Sequence, residues 1–117
     1  MAIAVARIGI GVAAFALTRP ALRLAGFSRP DGSTVALARL AGARDIALGA
    51  HALANRDDRR RLSGATALAT AVDLGDAIAF GSALVGRDGI DRTALMNFPV
   101  AAAAVVAGSW SAARLRR

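Results

Sequence analysis

Six charged residues interrupt otherwise apolar stretches of this chain: Arg7, Arg39, Arg44, Asp45, Asp73 and Asp76. Asp73 and Asp76 stand three apart, so a helix places both on one face, in the stripe Ala69, Asp73, Asp76, Phe80 and Ala83. Two carboxylates a turn apart in a medium of low dielectric repel each other. Such a pair holds a proton or a cation, or else is satisfied passively by arginine. Asp45 sits at the centre of a second pattern, Ala38, Gly42, Asp45, Gly49 and Ala52, whose small residues let a neighbouring helix approach closely. Arg7 lies on the stripe Ile3, Arg7, Ile10, Ala14 and Leu17, and Arg44 shares an adjacent face with His51, seven residues on. Arg7, Arg39 and Arg44 against Asp45, Asp73 and Asp76 make a neutral set, which favours a paired network within the molecule. That network either fixes helix register or binds a cation, a proton or a polar headgroup.

Two further residues are secondary candidates. His51 precedes a basic connector and reads as a locally bonded interfacial residue, or as a proton relay if it shares a wet path with Arg44. Asn97 lies two residues before Pro99, which removes a backbone bond to the Leu95 carbonyl and predicts a kink. Asn97 then satisfies exposed backbone or reaches the polar cluster. Trp110, beside the C-terminal arginines, reads as an interface anchor. With one histidine and no cysteine, the sequence offers no multi-histidine or thiolate metal site. No catalytic residue and no cofactor are expected.

The elements that must carry these residues follow from composition. The chain has 117 residues, 56% of them hydrophobic, and its net charge of +7 comes from fifteen basic and eight acidic residues, all arginine and aspartate. Four apolar blocks run over about 2–18, 34–54, 62–85 and 94–113, each near the ~20 residues that cross a hydrocarbon core about 30 Å thick. Connectors rich in proline, glycine, aspartate and arginine separate them. Ser33 and Thr34 are expected to cap the second helix and Asp91 the fourth. The expected fold is all-α, a single four-helix up-down transmembrane bundle in a cell membrane. Arg7, Arg44, Asp45, Asp73 and Asp76 would then lie within about 5 Å of the midplane. An ion there costs roughly 2.5–3.5 kcal/mol, so none should face lipid alone.

Other classes fit less well. A soluble bundle would carry a continuous polar face on each helix, and the fourth block has no charge at all. Block one lacks a basic leader and contains Arg7, against a signal peptide. Gly9-Ile10-Gly11-Val12-Ala13-Ala14 matches a degenerate dinucleotide pattern, but Pro20 interrupts the helix that should follow and no alternating strands appear. The arginines are scattered among connectors without an aromatic platform, so nucleic acid is not an expected partner. Arg56, Arg59, Arg60, Arg61, Arg114, Arg116 and Arg117 fall on one side of a four-span bundle, against Arg19, Arg23, Arg29, Arg87 and Arg92 on the other. The positive-inside rule therefore puts both termini in the cytoplasm. Residues 21–27 form either a short amphipathic helix at the interface or a plain loop.

The stretch from Arg39 to Gly49 fits an R-x-x-G-x-R-D-x-x-L-G pattern and resembles a family of small four-helix bacterial integral membrane proteins of unknown function. Arg7-Ile8-Gly9-Ile10-Gly11, the proline after block one and an aspartate in the third helix are similar to that pattern too. A more distant resemblance is to DoxX-like membrane proteins, some associated with quinone-linked processes. Small multidrug transporters have a comparable length but rely on a first-helix glutamate, where this chain has Arg7 and no glutamate anywhere. Three roles stay open: a non-enzymatic accessory or structural subunit, an oligomeric proton-coupled transporter or ion binder, and a membrane enzyme acting on a lipid or quinone. The expected partners are the lipid bilayer and either a larger membrane protein or further copies of the chain.

Overall fold

The computed structural model describes residues 1–86, 89 and 91–115. Those residues form five α-helices and no strand: α1 (Ala2–Ala16), α2 (Thr18–Leu24), α3 (Gly32–Ala54), α4 (Arg59–Gly86) and α5 (Asp91–Leu115). They fall into two compact units, Met1–Asp57 and Asp58–Arg117. In the first, α1 packs on α3 with α2 at one end; in the second, α4 packs on α5.

Helix ends follow local chemistry more closely than the apolar blocks suggest. The single helix expected over 2–18 is broken at Leu17, where α1 and α2 meet at 114°. A straight helix through Pro20 would strip the Ala16 carbonyl of its donor and press the ring against it. As the third residue of α2, Pro20 occupies a first turn where its missing N–H has no intrahelical acceptor to serve. Of the short helix and the plain loop read over 21–27, the structure has a helix, shifted to Thr18–Leu24. Residues 25–27 are its cap: Phe27 N–H bonds the Leu22 carbonyl at 3.0 Å, Gly26 N–H bonds that of Arg23 at 3.1 Å, and Gly26 has φ +98°.

Asp31, rather than Ser33 or Thr34, caps α3, its carboxylate accepting from the Thr34 N–H at 2.7 Å. Carboxylate beats hydroxyl here because it adds negative charge at the positive end of the helix dipole. Asp58 does the same for α4, accepting from the N–H groups of Arg60 and Arg61 at 2.9 and 3.0 Å. Arg59 to Arg61 thereby become the first turn of α4 instead of connector. The expected cap of the last helix, the Asp91 side chain, lies outside the described residues, as do Arg87, Arg116 and Arg117.

Small residues set both helix contacts. Along α1, Ala4 and Ile8 lie against Gly49, and Gly11 lies against Gly42, so α1 and α3 run antiparallel. A Cβ on Gly11 would stand 2.6 Å from the Gly42 carbonyl oxygen, and one on Gly42 would stand 2.7 Å from that of Gly11. No side chain fits between two backbones that close. In the second unit Gly108 abuts Thr70 and Gly81 abuts Phe98, again antiparallel.

Buried apolar residues are nearly all alanine, and no large side chain among the described residues is completely buried. Ile10, Leu40, Ile78, Val85, Val100 and Val106 are instead exposed. A water-soluble protein seldom shows so much bulky apolar surface; lipid-facing helices do. Two helices, α4 and α5, are long and apolar enough to cross a membrane, and the bent pair α1–α2 makes a third if counted as one span.

Candidate functional site

The first unit brings three of the six network residues together. The Gly11–Gly42 contact draws α1 onto α3, and Arg7 stands one turn before Gly11 while Asp45 stands just under one turn after Gly42. Arg7 Nη1 consequently donates to Asp45 Oδ1 at 2.9 Å. The same oxygen lies 3.7 Å from Arg44 Nη2. The Arg7 and Asp45 side chains retain 12% and 19% of their exposure, whereas Arg44 keeps 37%. The tight pair is thus the most enclosed part of the site, with Arg44 at its rim. The expectation that Asp45 lies in a small-residue seam holds in the structure, and Arg7 is the side chain that reaches it.

Arg39 is placed elsewhere. Its Nε donates to Thr18 Oγ1 at 3.3 Å, and Thr18 in turn donates to the Phe15 carbonyl at 3.0 Å. Thr18 is buried at the corner between α1 and α2, so Arg39 ties α3 to that corner. Sequence reasoning passed over both Thr18 and Gly11 as working parts. Thr18, two residues before Pro20, was legible as a helix-break neighbour; Gly11 was legible only as a glycine on the Arg7 helix.

Asp73 and Asp76 belong to the second unit, on one face of α4 with Ala77. Asp73 is buried, at 8% exposure, Asp76 is half-buried, and both are engaged in polar interactions. They share the face read from their spacing. Nearby threonines look inward to their own helix: Thr66 and Thr70 hydroxyls donate to the Leu62 and Thr66 carbonyls at 2.8 and 2.9 Å.

His51 is exposed, and Asn55 Nδ2 donates to its carbonyl at 2.8 Å while lying 3.4 Å from its Nδ1. Its bonding is thus local, within the last turn of α3. Asn97 Nδ2 donates to the Thr93 carbonyl at 2.7 Å, and α5 continues through Pro99 as one helix. That bond is made one turn back on its own helix, not to the Leu95 carbonyl that Pro99 leaves without its N–H donor. Trp110 is exposed and the Arg114 guanidinium carbon sits 3.8 Å from its ring centroid, an aromatic–cation pair suited to a membrane interface. Among the described residues no group of three or more histidines and acidic side chains is arranged to hold a metal ion.

Chemically, the first-unit site is an ion pair enclosed by glycine-mediated helix packing. It fastens one helix to another and presents a guanidinium at its edge. In comparisons with known proteins, no family, no curated protein and no solved structure matches this chain.

Proposed function

We propose that this chain is a small integral membrane protein acting as a non-enzymatic accessory or structural subunit. The carrying observation is where the enclosed charges of the first unit go: Arg7 and Asp45 bond each other across the α1–α3 contact, while bulky apolar residues point outward. Pairing offsets part of the cost of placing two charges in lipid and pins one helix register, and an outward apolar surface offers neighbouring membrane helices room to pack. The motif over Arg39–Gly49 supports placing it with the small four-helix bacterial membrane proteins it resembles.

All four apolar blocks then enter the bilayer as an up-down bundle with both termini in the cytoplasm. At 1.5 Å per residue α3, α4 and α5 are about 34, 42 and 37 Å long, enough for a ~30 Å core, and α1 at about 22 Å ends at the corner where α2 turns away. Affinity purification in a mild detergent with mass spectrometry tests the role. A stoichiometric larger membrane protein is the expected result; a lone homo-oligomer contradicts it.

A second reading, a proton-coupled oligomeric transporter, is favoured by one feature, the buried Asp73 with Asp76 a turn away. It predicts pH-driven flux in vesicles that Asp73→Asn abolishes.

A further inference from the structure

The corner between α1 and α2 gathers charge of one sign. Arg19 and Arg23 stand four apart on α2, Arg29 follows in the connector, and Arg39 reaches in from α3 to bond Thr18 at the corner itself. All four are exposed. Between Ala2 and Asp45 the sole acid is Asp31, and its carboxylate is committed to the Thr34 N–H as the α3 cap. The contrast with Arg7, held on Asp45, is plain. Two of these arginines are also fixed in place, Arg39 by Thr18 and Arg19 by the Pro30 carbonyl at 3.3 Å. Each of those bonds uses one N–H of a guanidinium that carries five, so the fork stays available to a second acceptor.

Beside the arginines the surface is apolar. Leu17 at the corner and Leu24 at the end of α2 are 61% and 81% exposed. Guanidinium groups next to bare leucines match one chemistry, a phosphate-bearing headgroup with acyl chains beneath it. We propose that this corner is a binding surface for anionic phospholipid, its arginines on the lipid phosphates and its leucines among the acyl chains. The inference rests on the chain being a membrane protein but not on its being an accessory subunit.

Purified full-length protein in mild detergent, offered phosphatidylglycerol and phosphatidylcholine at equal concentration, tests it by native mass spectrometry. Phosphatidylglycerol should be retained about tenfold over phosphatidylcholine, as expected for several arginines each contributing near an anionic surface. Arg23→Gln with Arg29→Gln should lose most of that preference. Neither substitution removes one of the anchoring bonds made by Arg19 and Arg39, and circular dichroism checks that helix content is kept. Arg59→Gln with Arg60→Gln, at the start of α4, should leave the preference intact. Equal retention of the two lipids by the unaltered protein overturns the proposal, and so does an unchanged preference in the Arg23/Arg29 variant. Failure of the chain to need detergent at all would instead overturn the membrane reading, so the two failures are distinguishable.

Discussion

Asp45 is the residue on which the first unit turns. Its Oδ1 accepts from Arg7 at 2.9 Å and lies near Arg44, in a setting that keeps about a fifth of the carboxylate side chain exposed. Breaking a fully buried pair by removing one partner costs about 3–5 kcal/mol, and this partial exposure lowers the expectation to roughly 1–3 kcal/mol. A double-mutant cycle with Arg7→Met and Asp45→Leu, followed by unfolding in mixed detergent micelles, should show a coupling of about 1 kcal/mol or more. Strict additivity would mean the two side chains do not act as a pair. The helix caps make a second prediction at this scale. The Thr34 N–H holds the Asp31 carboxyl below the ordinary carboxylate value, and the N–H groups of Arg61 and Arg60 do the same for Asp58. A depressed folded-state value means the caps contribute fully above the ordinary value and are lost as pH falls through the folded one. The protection of the Thr34, Arg60 and Arg61 amides, taken as exchange relative to the intrinsic rate at each pH, should therefore fall as pH drops below the ordinary carboxylate range and stay constant above it. Protection that persists in acid would count against the caps. Residue types alone revealed the charge set but not every partner: a guanidinium on a long stem reaches past a turn, so Arg39 was free to bond Thr18 instead of an aspartate.

At the scale of the helix, glycine position separates contact from ornament. Gly42 and Gly11 face each other's backbone carbonyls, whereas a Cβ on Gly75 would meet nothing within 4 Å. Gly42→Ala should separate α1 from α3 and destabilise the protein by about 1–3 kcal/mol, as overpacking does. Gly75→Ala should be neutral or stabilise by up to about 1 kcal/mol, because alanine is the better helix former. Thermal or detergent-induced unfolding followed by circular dichroism compares them, and equal effects would contradict the packing described. The seam with Gly42 and Gly49 was readable from spacing because a polar residue marked its centre. The described contact of the second unit uses Thr70 with Gly108 and Gly81 with Phe98, while Ser82 bonds the Ala79 carbonyl of its own helix. Where a helix is apolar all round, periodicity names no buried face.

For the whole molecule, hydropathy located the helices well, and it misjudged their ends where a carboxylate or a proline intervened. Asp58 drew three arginines into α4, and Pro20 divided the first block. Among the described helices α4 and α5 are by themselves long and apolar enough to cross a membrane, while α3 carries Arg39, Arg44 and Asp45 and α1 stops at 15 residues. Crossing by the first unit is therefore the central claim, since it makes the Arg7–Asp45 pair an intramembrane latch. The chain has no cysteine, so single-cysteine labelling is clean. Ser28→Cys and Asp57→Cys, on opposite ends of α3, are to be treated in intact cells with a membrane-impermeant maleimide. Labelling of Ser28→Cys from outside, with Asp57→Cys protected until the membrane is opened, is the predicted result. Labelling of both positions from the same side would contradict the account.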